Sequence, residues 1–345
     1  MVAPDLAGPV LRWQRQYGRH DLPWQNTRDP YRVWLSEIML QQTQVATVLD
    51  YFPRFLQRFD SVQALAAAPL DDVLGLWSGL GYYSRARNLH ACAQQVMQQH
   101  AGEFPRTAAQ LRTLPGIGRS TAAAIASICF SERAAILDGN VKRVLTRVLG
   151  FDHDLSRSAH ERLLWQHAEA LLPQERLHER MPRYTQAMMD LGATVCLPRK
   201  PACHACPLGA QCAALREGRP EHYPVKTSRL KRSAQSLWLL WAQTRQGHVW
   251  LSRRPTPGVW AGLYCFELFD SWQDLVQAVP TRYRDGLQDE PAFTHVLTHK
   301  DLHLHPVRLQ VPRGGLGAEG GGWFSPQQWP QLGLPAPVRK LLTQG

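Results

Sequence analysis

Four of the chain's seven cysteines fall within seventeen residues, CLPRKPACHACPLGAQC. Six, two and five residues separate Cys196, Cys203, Cys206 and Cys212. Four thiolates this close can hold zinc or an iron–sulfur cluster. A zinc ribbon uses two separated C-x₂-C pairs. This segment has one such pair, Cys203 and Cys206, with a further cysteine at longer range on each side. A single compact loop around one object suits a [4Fe–4S] cluster, whose four irons each take one thiolate, and the spacing favours it over zinc. His204 lies inside the loop, but four cysteines already complete the set. Cys92, Cys129 and Cys265 stand apart, and the first two read as small core residues in apolar helical surroundings.

Two carboxylates form the second group. Glu37 stands in WLSEIMLQQTQV between Trp34-Leu35 and Ile38-Met39-Leu40. A glutamate on an amphipathic helix is ordinarily exposed. In apolar company it is costly unless paired, and desolvation raises its pKa. A raised pKa is what a general acid at neutral pH requires. Asp138, in LDGNVKR, precedes a helix, so either it or Asn140 can serve as an N-cap. An aspartate at a helix mouth stays ionised. Twenty residues before Asp138 lies Gly118, in LPGIGRST. Pro115 and Gly116 make a tight turn, and Gly118 permits close approach of another surface. The amides opening the next helix favour a phosphate, although such a turn in isolation is often only a connector.

The elements that must position these groups are helical up to about residue 212. Asp29-Pro30 opens the Glu37 helix with a cap and a first-turn proline. VKRVLTRVL places Val141, Val144, Leu145, Val148 and Leu149 on one stripe, and TAAAIASI carries small residues for close helix packing. Residues 213–235, charged and holding Pro220 and Pro224, read as a linker. Beyond them SLWLLWAQT, HVWLSRR, LYCFEL and LHLHPVRLQV are short aromatic and branched runs between Gly/Pro stretches, a mainly β signature with some helix. The division expected is 1–212, a linker 213–235, and 236–345, with no internal repeat.

At 345 residues, with net charge +11 and pI about 9.6, the chain is suited to a polyanion, most commonly nucleic acid. The N-terminus lacks a signal-peptide pattern, and no apolar run approaches ~18 residues, so no membrane partner is expected. A cytoplasmic location follows, nucleoid-associated in a bacterium, where clustered cysteines point to metal rather than disulfides. The expected state is a monomer.

The cysteine spacing and the LPGIGRST hairpin resemble the endonuclease III superfamily of DNA glycosylases. With WLSEIMLQQTQVATV, LWSGLGYYSRARNL, ILDGNVKRVL and QAMMDLGATVC, the chain resembles its adenine DNA glycosylase (MutY-type) branch, strongly over about 10–212 and more weakly from 236 onward. The resemblance implies a mostly α helix-hairpin-helix glycosylase region with a [4Fe–4S] loop, followed by an α+β MutT/Nudix-like domain. It implies a partner, duplex DNA with adenine opposite 8-oxoguanine or guanine, and a flipped target base. By resemblance Glu37 protonates the adenine, Asp138 stabilises an oxocarbenium-like cation, and Asn140 orients the site. Gln42 and Tyr82 probe or wedge the base stack. Gly116, Gly118 and Ser120 belong to the DNA-facing hairpin, and Arg199 and Lys200 match the basic cluster loop. Related lyases carry a lysine where Ser120 stands. Without that amine there is no strong Schiff-base nucleophile, and a monofunctional glycosylase is implied.

In the second domain the lesion-reading Phe-Ser-His of the family is matched by Leu297-Thr298-His299. Hydroxyl and imidazole are kept, the aromatic is lost, and the stretch that follows is two residues longer. His295, His299, His303 and His305 otherwise read as one face of a solvent-facing strand. The sequence holds no adjacent glutamate pair, so Nudix-type pyrophosphate hydrolysis is not expected. Two rivals remain at this stage: an endonuclease III-type lyase, and a non-enzymatic iron–sulfur DNA-binding protein. The latter leaves Glu37 in its apolar run unexplained.

Overall fold

A computed structural model describes residues 5–227, 231–316 and 320–344. The chain forms two compact units, Met1–Ala67 with Asn88–Arg229, and Ala68–Arg87 with Leu230–Gly345.

The first unit is helical. Asp29 accepts the Tyr31 amide at 2.9 Å and Pro30 occupies the first turn of the helix Pro30–Leu40. Val33, Trp34, Leu35, Ile38 and Met39 are all buried, so this helix is enclosed rather than laid on a surface. The helix Arg119–Phe130 packs against it, with Ala122 to Ala126 buried. Short side chains let the two axes approach. The helix Gly139–Leu149 buries Val141, Val144, Leu145 and Val148 as the spacing predicts, while Leu149 is only half-buried. It crosses the helix Leu177–Thr194 at Gly192, where any Cβ would lie 2.6 Å from the Asn140 Cβ. Glycine is therefore what lets the mouth of the Asp138 helix reach its neighbour.

The stretch read as a linker is folded over its first half. Residues Ala213–Arg216 form a helical turn against the helix Gly139–Leu149, and Ala214 and Tyr223 are buried. The Leu155 amide donates to the Val225 carbonyl at 3.0 Å. Charge and proline mislead here because two apolar anchors decide the packing.

Among the described residues the second unit forms a mixed sheet of eight strands: β1 (Ser233–Gln243), β2 (Val249–Arg253), β3 (Tyr264–Cys265), β4 (Glu267–Phe269), β5 (Gln288–Asp289), β6 (Phe293–Val296), β7 (Lys300–Gln310) and β8 (Gly321–Phe324). The order along the main path is β3-β2-β1-β7-β5, with β1 and β7 parallel and the other pairs antiparallel. Side chains alternate across the sheet. Leu237, Leu239 and Trp241 of β1 enter one core with Val338 of the helix Ala336–Gln344. Leu240 and Ala242 enter the other with Leu275 of the helix Trp272–Ala278. A sheet with a helix on each face is the expected α+β domain.

Residues 68–87 were read with the helical region but group with this sheet unit. The reason is polar as well as apolar. The Ser78 and Tyr83 hydroxyls donate to the Leu334 carbonyl at 3.1 and 2.8 Å, and Arg87 donates to the Ala261 carbonyl at 2.6 Å. Arg253 pairs with Asp71. The histidines also differ from expectation: His295 lies on β6, His303 and His305 on β7, and His299 in the connection between them. His303 is exposed, whereas His305 stacks on Trp238 at 4.5 Å.

Candidate active site

A cavity of about 360 Å³ opens in the helical unit and is lined by Glu37 together with Trp24, Gln25, Arg28, Val33, Ile128 and Gln186, among others. The volume lies in the range of small-molecule sites. Trp24 is held edge-on against Phe52 at 5.5 Å. Arg19 and Gln186, both on the lining, are held by the buried Asp190 carboxylate, which takes Arg19 at 2.7 Å and the Gln186 amide at 3.0 Å. Gln25 carries a side-chain amide that is buried without a partner among the described residues. Glu37 is half-buried, and no hydrogen bond or ion pair reaches its carboxylate among the described residues. Burial first, and the Asp138 carboxylate second, push its pKa up to about 8.

Asp138 is the N-cap of Gly139–Leu149, accepting the Val141 amide at 2.8 Å. Burial pushes it above the usual carboxylate range, while the Val141 and Asn140 amides and the cations Arg143 and Lys142 pull it back. The N-cap reading therefore holds, whereas the expectation that an aspartate at a helix mouth stays ionised is opposed by burial, which outweighs the cap amides and nearby cations. Asn140 is held from the side: its Oδ1 accepts Arg143 at 2.8 Å, and the same guanidinium donates to the Gly192 and Cys196 carbonyls at 2.6 Å each. Ser120 accepts the Leu137 amide at 3.0 Å, tying the hairpin helix to the segment that leads into Asp138. In the hairpin, Gly116 has φ +75° and packs on Asn88, where a Cβ would meet the Asn88 Cβ at 2.8 Å. Gly118 is exposed and has nothing within 4 Å of a would-be Cβ, so it offers open backbone at the helix start.

Cys196, Cys203, Cys206 and Cys212 line one cavity, with Val144, Val148 and Arg147 as part of its wall. Among the described residues, no three His, Cys, Asp or Glu side chains converge as they would on a single ion. Burial, together with the neighbouring cysteines, pushes the Cys206 thiol up to about 11. Thiolates there need positive charge close by. Arg147, only 2% exposed, donates to Cys196 Sγ at 3.3 Å.

Residues 35–170 match the family described as HhH-GPD superfamily base excision DNA repair protein, and residues 238–344 match the NUDIX domain. The adenine DNA glycosylase of Buchnera aphidicola subsp. Baizongia pistaciae is 35% identical over 342 residues, covering 97% of this chain and 95% of that protein. The chain belongs to the adenine DNA glycosylase family. The human adenine DNA glycosylase is 45% identical over 216 residues, 60% of this chain and 39% of its own. Among solved structures, a thermostable thymine-DNA glycosylase superposes with a TM-score of 0.54 at 28% identity, covering 61% of this chain and 95% of its own. An endonuclease III bound non-covalently to DNA shares the fold, with a TM-score of 0.50 at 23% identity over 61% of this chain and 94% of its own. The protein is thus a base excision repair enzyme whose substrate is DNA. No helix among the described residues is long and apolar enough to cross a membrane.

Within this adenine glycosylase the remaining predicted residues fall in both units. Gln42, in the helical unit, is exposed with φ +56°, and Tyr82, in the sheet unit, is 43% exposed with φ +48°. A left-handed backbone at a non-glycine residue stores strain and is found disproportionately at functional positions. The Tyr82 hydroxyl lies 2.7 Å from the Thr298 Oγ1. Thr298 and His299 form a tight connection closed by the Leu297 amide on the Lys300 carbonyl at 2.8 Å, and Arg232 donates to the Thr298 carbonyl at 2.9 Å. Leu297 packs against the sheet core. The exposed apolar residue is its neighbour Val296, 64% accessible. Sequence reasoning missed Gln25, Arg19, Gln186 and Arg147. The motif QAMMDLGATVC contained Gln186 and Asp190, which bond each other, but the pairing of Asp190 with Arg19 spans 171 residues and leaves no local signal.

Proposed function

We propose that this enzyme excises adenine opposite 8-oxoguanine or guanine in duplex DNA and leaves an abasic site without cleaving the strand. The observation that carries the reading is Glu37: a carboxyl without a bonding partner among the described residues, on the wall of a cavity of about 360 Å³, with a pKa raised to about 8. At neutral pH it is largely protonated and can donate. Its proton passes to a ring nitrogen of the flipped adenine, and the C1′–N bond breaks as the base leaves neutral. Positive charge developing at the sugar faces Asp138, whose cap bonds fix it in place. Water then adds its hydroxyl to C1′ and gives its other proton to a carboxylate. Ser120 supplies a hydroxyl engaged with Leu137 rather than an amine, which supports a glycosylase without a lyase step.

The four cysteines are proposed to hold a [4Fe–4S] cluster. The spacing supports this reading, since a zinc ribbon uses two separated C-x₂-C pairs and this loop has one, and the four thiols line one cavity. When bound, the cluster would supply a rigid knot that fixes the basic loop with Arg199 and Lys200. On the sheet unit, Tyr82, Thr298 and His299 make up the proposed reader of the opposite base.

Incubation with duplex containing adenine opposite 8-oxoguanine, resolved with and without alkali, tests the reading. Strand breaks that appear only after alkali are expected. Spontaneous breaks would assign a lyase, and no breaks in either lane would leave a DNA binder.

A further inference from the structure

Arg147 is the most deeply buried guanidinium of the helical unit, and its partners are unusual. Besides the Cys196 Sγ at 3.3 Å, it donates to the carbonyls of Leu197 at 2.7 Å, Pro198 at 3.1 Å and Tyr223 at 3.3 Å. Its own carbonyl lies 3.4 Å from the Cys212 Sγ. Among the described residues no carboxylate pairs with it. A buried cation is costly unless a negative charge compensates it. Three carbonyls and a sulfur take four of its five N–H groups but leave the charge unanswered. The cavity its guanidinium faces is the one that the four cysteines line.

We propose that Arg147 is the counter-ion and positioning residue of the iron–sulfur cluster, fixing Cys196 and raising the cluster's reduction potential. The inference rests on the cluster reading above. A tetrathiolate cluster is anionic, and each added electron makes it more so. A buried guanidinium donating to one ligand sulfur stabilises the reduced form, because potential follows net charge and hydrogen bonds to sulfur. The same fork holds the carbonyls on either side of the loop, from Leu197 to Tyr223, so the first cysteine cannot drift. Asp138 caps the helix that carries Arg147, and no role in the reaction itself is assigned to the arginine.

Full-length wild type is compared with Arg147→Lys, which keeps charge but not the fork, and with Arg147→Met, which loses both. Iron per chain, helical circular dichroism and the midpoint potential of the cluster's one-electron couple are measured. Wild type should carry about four irons. In Arg147→Met the oxidised-to-reduced ratio at a fixed potential should rise about tenfold, a shift of about 59 mV to more negative potential, with Arg147→Lys between the two. Loss of iron with native circular dichroism would also support the assignment. An Arg147→Met protein with full iron and the wild-type potential overturns it. Wild type free of iron overturns the cluster reading instead, and leaves no potential to compare.

Discussion

The cavity wall around Glu37 offers its carboxylate no donor among the described residues, whereas the helix mouth at Asp138 offers two amides and two nearby cations. Both groups are removed from water in the same unit, and burial is the leading influence on each. Both therefore stand above their ordinary range, but burial acts on Glu37 with only a second carboxylate beside it, which pushes it further up. Asp138 meets opposing forces: the Val141 amide, the Asn140 amide, Arg143 and Lys142. Glu37 thus keeps its proton near neutrality, which suits the donor role proposed for it, whereas at Asp138 the amides and cations work against burial and favour the charged form that its proposed role needs. The chemistry is set by what surrounds the side chain rather than by its type.

The comparison breaks most decisively under amide substitution. Glu37→Gln keeps shape and removes the acidic proton, so single-turnover excision should fall by about 10²–10⁴-fold while mispair binding persists. Asp138→Asn keeps a competent N-cap and removes the charge, with an expected loss of about 10²–10³-fold and intact folding. Rates within tenfold of wild type for either variant would remove that residue from its assigned role.

A pH profile sharpens the contrast. The donor form of Glu37 is lost as pH rises through about 8. Single-turnover excision should be flat near neutrality and fall about tenfold per pH unit well above 8. The acid limb belongs to Asp138, whose folded pKa lies above 3.8. Because the Asp138 charge raises Glu37, the residual activity of Asp138→Asn should show its alkaline limb at lower pH than wild type. A limb that does not move would mean the two carboxylates are not coupled.

Stability should respond with opposite signs. Glu37 has a folded pKa above its ordinary 4.5. Its favourable contribution is therefore complete below about pH 4.5 and is lost as pH rises through about 8. Glu37→Gln should gain melting temperature relative to wild type above pH 8, and more at pH 9 than at pH 6. Asp138→Ala loses the cap and should cost about 0.5–2 kcal/mol. Equal melting curves for wild type and Glu37→Gln at pH 9 would mean that the cavity solvates the carboxylate after all.

Much of this was legible in the sequence where the determinants are local. Asp29-Pro30, the Gly116 turn, the Asp138 cap and the apolar flanks of Glu37 are each read within a few residues. The two helical and β regions followed from periodicity in the same way. What escaped were pairings across long separations. Residues 68–87 join the sheet unit through Leu334, Ala261 and Arg253, partners more than 170 residues away. The linker's anchoring through Ala214 and Tyr223 lay under a charged, proline-rich composition. The reader loop was placed by resemblance, and there the face taken by Leu297 follows from the β6–β7 pairing rather than from its own neighbours.

The smallest effect is expected at the reader, which differs from the Glu37 wall in being exposed and in working through single hydrogen bonds. Thr298 engages Tyr82 at 2.7 Å, and the His299 side chain is exposed in the β6–β7 connection. 8-Oxoguanine differs from guanine by a carbonyl at C8 and a proton on N7, so a hydroxyl or imidazole at that edge can tell the two apart. One such bond is worth about 0.5–1.5 kcal/mol, a few-fold in affinity. The double change Thr298→Ala, His299→Ala should lower the preference for adenine:8-oxoguanine over adenine:guanine by roughly that much per residue. Excision from bound adenine:guanine should hold, since Glu37 and Asp138 belong to the helical unit. Tyr82→Phe removes the same hydroxyl contact from the other side. If Thr298 acts by holding Tyr82, the single changes Thr298→Ala and Tyr82→Phe should lower the ratio equally and should not add when combined. Additive losses would instead assign the two side chains separate contacts with DNA, and an unchanged ratio in the double variant would place the discrimination outside this loop.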